Sequence, residues 1–441
     1  MELSALTKKI IALAITLCCL LTALPVCATT YYMHAYGSDR WPGTETQPWA
    51  SLQRAADVAI AGDTVIIKAG TYTLLQGVAL ANKGPITFRA YPGHVPILKF
   101  TGADTYAIGI GDNADHITID GLTLVWATNS NGNVVGIGGE YATIKNCHIY
   151  FDPQYSPSKY DCIKILSTGH YATIENCHIR GAPEQGIDTV GGDNLVVRNN
   201  TIHDCQNAIV LKGGSDKDLI EDNTCYNLKF GAIGLGGTTG QQFINYEHEN
   251  TNTVVRRNTI YYDNANNIGG GIFLQGAKNC LVHNNTLYGP GIHLRTGGDP
   301  KNPSFFCSDS QIANNIVWKT GNDAIVVVEP GNSSGLEMRN NLYWKTAAGA
   351  GFKVNNQWYV YDQFKSACSF DHDSLFLDPL FTDVSSRDFS LSRGSPCINR
   401  GFTVNQQGLQ VTPIDIGALE YRFVSMSPPK DFSLRSPAQA Y

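Results

Sequence analysis

The sequence has little charge of either sign and few long apolar runs. Asp, Glu, Lys and Arg make up 16% of its 441 residues, against roughly 25% in average soluble domains. The formal net charge is −6, and a chain without a basic excess lacks the lysines and arginines that phosphate contacts require. Only the N-terminal segment carries a long apolar run. We therefore expect no nucleic-acid partner and no membrane span in the mature chain.

The N-terminal segment has the three regions of a secretory signal. Lys8 and Lys9 precede an apolar stretch from Ile10 to Leu24, and small residues surround Ala28. This order predicts cleavage after Ala28 and export to the extracellular or periplasmic space. A lipid-modified Cys27 is the alternative.

Nine cysteines remain after such cleavage, from Cys147 to Cys397. An odd number cannot pair completely, although an exported protein permits disulfides. Cys147 and Cys177 occupy matching points of a repeat, so they are either paired or stacked as small buried apolar side chains. No spacing of Cys and His is typical of a zinc site.

A short phrase recurs along the chain, as in ITIDGLTL, ATIKNCHI, ATIENCHI and LVVRNNTI. Its apolar residues alternate with polar ones, which is the period of a strand with one buried face. One column of the aligned phrases contains Asp120, Asn146, Asn176, Asn199, Asp222, Arg257, Asn284, Asn314 and Asn340, about 23 to 35 residues apart. Asn200, Asn223, Asn258, Asn285, Asn315 and Asn341 form the next column, which predicts an asparagine ladder.

A repeat of this length without a helix predicts an all-β fold, a single-stranded right-handed parallel β-helix. A leucine-rich repeat would need the LxxLxLxxN phrase, which is absent. A short helix near Leu52 to Ala59 is expected to cap the N-terminal end, and short strands near DPLFTDVSSRDFSLSRG to cap the other. We therefore predict a signal peptide at 1–28, a β-helix domain at 29–421 and a loose tail at 422–441.

A second phrase places charged residues on one outward face. It appears as DCIKIL, QGIDTV, NAIVLK, GGIFLQ and PGIHLR, in which the third residue should point inward and the fourth and sixth outward. Coils lie about 4.8 Å apart, so Lys164, Asp188 and Lys212 should lie near one another. Gly234 and Gly236 follow and would leave room for a sugar ring. Candidates for substrate contact are Lys164, His203, Gln275, His293 and Arg295.

The acids beside this face suggest a hard cation. Asp161 and Glu184 enter successive strands near Asp188, and calcium accepts such an oxygen cluster. The segment EQGIDTV, followed one coil later by NAIVLKGGS, resembles the calcium and base region of family nine pectate lyases. That resemblance implies that Asp161, Glu184 and Asp188 hold calcium and that Lys212 is the catalytic base. Gln185 stands where the family has an acid.

The resemblance implies a secreted, monomeric polysaccharide lyase that cleaves an acidic, pectate-like or alginate-like polymer by calcium-assisted β-elimination. Alginate and chondroitin lyases of β-helix fold offer a competing match, because they too carry a lysine before a small-residue turn. A glycoside hydrolase or epimerase is a second enzymatic interpretation, and a hydrolase would need two carboxylates about 5 to 9.5 Å apart. A non-catalytic carbohydrate-binding or surface protein is the third.

Overall fold

Three long parallel sheets wind around a common core in the computed structural model. It describes residues 28–81, 83–239, 244, 247–262, 270–299, 302–403 and 410–421. Residues 1–27 of the predicted signal peptide, which spans 1–28, and the predicted tail from residue 422 lie outside these residues. Within them, each coil of the chain contributes one strand to sheet 1, then one to sheet 2, then one to sheet 3. This is the predicted right-handed parallel β-helix.

The strands of each sheet follow in stacking order. Sheet 1 contains Thr30–Met33, Thr64–Ile67, Ile86–Ala90, Ile117–Asp120, Thr143–Lys145, Thr173–Glu175, Val196–Arg198, Leu219–Glu221, Val254–Arg256, Leu281–His283, Gln311–Ala313, Glu337–Arg339 and Asp371–His372. Sheet 2 contains Gly70–Leu74, Pro96–Phe100, Thr123–Trp126, His148–Phe151, His178–Arg180, Thr201–His203, Thr224–Tyr226, Thr259–Tyr261, Thr286–Gly289, Ile316–Lys319, Leu342–Lys345 and Leu375–Phe376. Sheet 3 contains Val78–Leu80, Tyr106–Ile110, Asn133–Ile137, Ile163–Ile165, Gln185–Val190, Asn207–Lys212, Gly231–Gly236, Ile272–Gln275, Ile292–Arg295, Val326–Val328, Phe352–Val354 and, antiparallel, Gln357–Tyr359.

Four smaller sheets are present among the described residues besides the three long ones. Ser215–Asp216, Asn250–Thr251 and Ala277–Lys278 pair in parallel, whereas three antiparallel pairs join Gly297–Asp299 to Asn302–Phe305, Phe381–Asp383 to Asp388–Leu391, and Gly401–Thr403 to Gln410–Ile414.

The tight turn between sheets 1 and 2 explains the two asparagine-rich columns. Its first residue is left-handed, with φ of 56° at Asn199, a conformation that Asn and Asp tolerate better than most side chains. The second residue builds the predicted ladder, in which Asn200 Nδ2 donates to Asn223 Oδ1 at 3.0 Å and Asn223 Nδ2 donates to Asn258 Oδ1 at 3.0 Å. The ladder continues to Asn341. It satisfies buried backbone and amide groups along the axis.

Both ends of the solenoid are covered. Helix α1 (Leu52–Val58) is capped by Ser51, whose hydroxyl accepts a hydrogen bond from Arg54 N, and it buries Leu52 on the first coils. The predicted N-terminal cap is therefore confirmed. The strands predicted as the other cap pair as Phe381–Asp383 with Asp388–Leu391, but they lie on the outer face of sheet 2, where Phe381 stacks on Trp318 at 5.6 Å between ring centroids. Helix α2 (Tyr361–Ala367) was not predicted, and it buries Phe364 against Phe352.

Stacked aliphatic residues form the core, and the cysteines belong to it. All nine cysteines after residue 28 are free and buried. Cys147 and Cys177 are therefore stacked apolar side chains rather than a disulfide. Among the described residues, no helix is long and apolar enough to cross a membrane.

Candidate active site

Two outward columns of sheet 3 carry the predicted charged face. In the first column Lys164 is in register with Asp188, and Asp188 with Val210. In the second column Val190 is in register with Lys212. Because neighbouring outward positions alternate along a strand, the side chains of Lys164, Asp188 and Lys212 converge from three successive coils. The predicted proximity of these three residues is confirmed.

Asp188 lies between the two lysines. Its side chain is 2% exposed, and its Oδ2 accepts a short hydrogen bond from Lys164 Nζ, while its Oδ1 lies 3.0 Å from Lys212 Nζ. The lysine side chains are 22% and 23% exposed. A buried carboxylate thus anchors two ammonium groups whose outer sides reach the surface.

Asp161 lies on the other side of Lys164, with its Oδ2 3.9 Å from Lys164 Nζ. Its Oδ1 accepts a hydrogen bond from Gln185 N at 2.9 Å, and its own backbone N donates to Asn133 Oδ1 on the preceding coil. Burial, reinforced by the charge of Asp188, raises the pKa of Asp161 to about 7. The pKa of Lys164 is raised as well, because Asp188 and Asp161 together outweigh the effect of its burial.

These acids do not fit a calcium ion as they are arranged. Glu184 turns to the backbone, where its Oε2 accepts a hydrogen bond from Tyr160 N at 3.0 Å. The Lys164 ammonium group faces the Oδ2 atoms of both Asp161 and Asp188. No group of three His, Cys, Asp or Glu side chains placed to hold a metal ion occurs in the part of the chain that the structure describes. Calcium binding therefore stays a prediction.

The loop after Lys212 is fixed by a buried acid. Glu249 is fully buried, and its carboxylate accepts hydrogen bonds from Gly213 N at 3.0 Å, from Thr239 N and hydroxyl at 2.7 Å, and from Gly298 N at 3.2 Å. The stem of Lys212 runs beside Gly237, where a Cβ would lie 3.2 Å from Lys212 Cδ. Glu249 therefore joins three loops around the lysine. It lies in no repeated phrase, so the sequence pattern did not reveal it.

The expected space at Gly234 is filled, and this prediction was wrong. Gly234 is in register with Phe273, whose ring would lie 2.2 Å from a Cβ at that position. Glycine is required there because an aromatic ring covers it. Gly236 has φ of 90°, and a Cβ there would meet the backbone oxygen of Gln275 at 2.0 Å. Backbone packing, not sugar binding, accounts for this second glycine.

The structure separates the remaining candidates from the two lysines. His293 and Arg295 form their own cluster, in which Arg295 Nη2 lies 2.7 Å from His293 Nδ1 and its guanidinium lies over Phe273. Burial, reinforced by the charge of Arg295, lowers the pKa of His293 to about 3. Gln275 lies between the two groups, in register with Gly236 and Arg295. Arg295 is three coils from Lys212, about 14 Å along the stack.

His203 belongs to a different sheet. It lies in sheet 2, stacks on Tyr226 at 4.5 Å and places its Nε2 2.6 Å from His178 Nε2. Its Nδ1 lies 2.7 Å from Asp204 Oδ2. It does not share the outward face of sheet 3 with Lys164 and Lys212.

Comparisons with known proteins agree with the architecture. Residues 31–155 match a family model described as the Pel9A-like right-handed β-helix region, and residues 97–247 match a general right-handed β-helix region. The uncharacterized protein YwoF of Bacillus subtilis is 25% identical, with 83% of this chain and 91% of that protein aligned. Pectate lyase PEL9 of Emericella nidulans is 36% identical over 97 residues, which is 20% of this chain and 24% of that enzyme.

Two solved structures show the same fold. Pectate lyase Pel9A superposes with a TM-score of 0.53 at 15% identity, covering 90% of this chain and 98% of its own. A GH136 lacto-N-biosidase from Eubacterium ramulus superposes with a TM-score of 0.56 at 13% identity, covering 79% of this chain and 68% of its own. The chain therefore has the right-handed parallel β-helix fold, and its resemblance to family nine pectate lyases is confirmed by the matched family model. A lyase and a hydrolase share this fold, so the fold leaves the reaction open.

Proposed function

We propose that the protein is a secreted, monomeric polysaccharide lyase that cleaves a uronate-containing polymer by β-elimination, with Lys212 as the base. The observation that carries the proposal is the pair of ammonium groups of Lys164 and Lys212 on the outward face of sheet 3. Both are held by the buried carboxylate of Asp188, and both reach the surface. A surface that presents cations in fixed positions suits an acidic sugar.

The proposed β-elimination requires a group that neutralises the substrate carboxylate and a base. The hydrogen at C5 of a uronate is α to a carboxylate and weakly acidic, so that carboxylate must be neutralised and a base must reach the proton. The Lys164 ammonium group would pair with the substrate carboxylate, and the neutral amine of Lys212 would take the C5 proton. The electron pair of the C–H bond then forms the C4–C5 double bond. The glycosidic oxygen leaves from C4 with the C4–O electron pair and takes up one proton, which the Lys212 ammonium group formed in the first step can return. No water is consumed.

A glycoside hydrolase is the second candidate, favoured by one observation. Asp161 has its pKa raised to about 7 while Asp188 lies between two lysines, and paired carboxylates in contrasting environments are typical of acid and base roles. However, these side chains are only 5% and 2% exposed and lie beneath the lysines. A polymer bound on this face meets ammonium groups first, which favours the lyase.

An ultraviolet assay for unsaturated uronate, with pectate and alginate as separate substrates, tests the proposal. We expect product from one of the polymers and a loss of about 100- to 10,000-fold in Lys212→Ala, since this is the usual contribution of a catalytic base. Lys145→Ala is the matched control, because Lys145 pairs with Asp120 on sheet 1, away from the site. Circular dichroism verifies that both variants fold.

Two results would count against the proposal. Full activity of Lys212→Ala would remove that residue from the role of base. If no uronate polymer yields an unsaturated product, reducing-end release without it would indicate a hydrolase, and binding without cleavage a non-catalytic carbohydrate-binding protein.

A further inference from the structure

We infer that Lys164 takes the place which the family resemblance gives to calcium, so that this site needs no metal ion. The ammonium group of Lys164 would then hold the substrate carboxylate directly. Replacement of the calcium ion by Lys164 does not depend on the reaction, whereas direct contact with the substrate carboxylate rests on the proposed function.

Each predicted calcium ligand already has a partner for at least one carboxylate oxygen. Calcium needs about six to eight oxygen ligands at roughly 2.3 to 2.6 Å. Asp188 Oδ2 accepts a hydrogen bond from Lys164, and its Oδ1 forms an ion pair with Lys212 at 3.0 Å without hydrogen-bond geometry. Asp161 Oδ1 accepts from Gln185 N, its Oδ2 faces Lys164, and Glu184 Oε2 accepts from Tyr160 N. A divalent ion at this position would displace an ammonium group from two carboxylates.

The two lysines already place positive charge beside the acids, without a divalent ion. Two buried acids, Asp161 and Asp188, face two lysines, and the neighbouring position that the family fills with an acid is the neutral Gln185. The site thus lacks one negative charge that the family resemblance would give it, and Lys164 lies among the acids that remain.

Lys164 is also held in place from the preceding coils. Its partner in register is Gly136, and the ring of Tyr106 lies over that glycine, where a Cβ would meet Tyr106 Cδ1 at 2.4 Å. The lysine is therefore flanked by an aromatic ring on one side and by Asp188 on the other. A fixed ammonium group can orient a carboxylate without paying the entropy of ordering a free side chain.

Calcium titration by calorimetry, on full-length protein freed of metal with EDTA, tests the place of Lys164. The variants are Lys164→Met, which keeps the apolar stem but removes the charge, and Lys145→Met as the matched control. We expect no calcium binding by the wild type or the control, and a gain in calcium affinity of at least about tenfold in Lys164→Met, because a cation that repels the ion is gone. Adding Asp188→Asn to Lys164→Met should abolish the gain.

The outcomes separate the two statements. Calcium binding by the wild type that Lys164→Met leaves unchanged, or a folded Lys164→Met protein that gains none, would overturn the place given to Lys164. Oligogalacturonate and oligoalginate are titrated in parallel with EDTA present, and binding by the wild type that Lys164→Met weakens supports direct contact. If neither oligosaccharide binds with or without calcium, the proposed function fails, whereas the calcium comparison still decides whether Lys164 replaces an ion.

Discussion

Asp188→Asn should destabilise the protein through the two lysines that it leaves behind. The substitution preserves the size of the side chain but removes the charge that Lys164 and Lys212 share. Both ammonium groups then lie side by side without their common counter-ion. The solenoid loses a contact that joins three successive coils.

The size of the effect follows from the burial of the partners. Removing one partner of a fully buried ion pair costs about 3 to 5 kcal/mol. Asp188 is 2% exposed, but the lysine side chains are 22% and 23% exposed and can turn toward water. We therefore expect a loss of about 1 to 3 kcal/mol in the free energy of unfolding. Asp120→Asn is the control, since Asp120 is 28% exposed and 3.9 Å from Lys145, and its loss should cost less than about 0.5 kcal/mol.

Urea unfolding followed by circular dichroism measures both variants, with the slope against denaturant checked for constancy. An Asp188→Asn protein as stable as the wild type, or no less stable than Asp120→Asn, would refute the idea that this carboxylate anchors the lysines. A stability loss accompanied by unchanged binding of oligouronate would refute the idea that the anchored geometry matters for the ligand.

Two further predictions concern the solenoid itself. Burial raises the pKa of Asp218 from 3.8 to about 8, so between these values the native state keeps a proton that the unfolded chain releases. The free energy of unfolding should therefore fall as pH rises from about 4 to 8. Asp218→Asn, whose side chain can still accept from Leu195 N, should flatten this part of a profile of urea midpoint against pH. An unchanged slope would contradict this. Asn258→Ala leaves Asn223 N and Nδ2 without their acceptor, and it should lower the free energy of unfolding by about 2 to 5 kcal/mol in the same assay. The control Asn322→Ala, at an exposed position, should lower it by less than about 0.5 kcal/mol. Equal losses in the two variants would argue against the ladder.

The solenoid could be predicted from the sequence because successive coils repeat the same turn and the same alternation of buried and exposed residues. The turn between sheets 1 and 2 needs a left-handed residue followed by a small buried side chain, and Asn199 and Asn200 supply both. Arg257 breaks the pattern at φ of 54°, and its guanidinium bonds to Asp222 and Glu221 at the same turn. Helix α2 was missed because it occurs once, after the last full coils, where no neighbour repeats its pattern.

The site was predicted in its positions and not in its contacts. Register places Lys164 beside Asp188, and alternation places Lys212 on the same face, so counting residues was enough for both. Counting did not reveal that Phe273 would cover Gly234, because the register identifies a neighbour but not the direction of a ring. It also missed Glu249, whose partners lie in three loops that differ from coil to coil.

The length of the side chains decides which charge the site presents. In the sequence, the acids near Asp188 outnumber the lysines and suggest a place for a cation. In the folded chain the short Asp161 and Asp188 side chains end beneath the surface, at 5% and 2% exposure, whereas the longer lysines extend over them. An acid that is covered by its own counter-ion attracts no second one. The sequence of these residues therefore suggests cation binding, whereas the surface that they form in the folded chain favours anion binding. The choice between calcium and Lys164 thus depends on the structure.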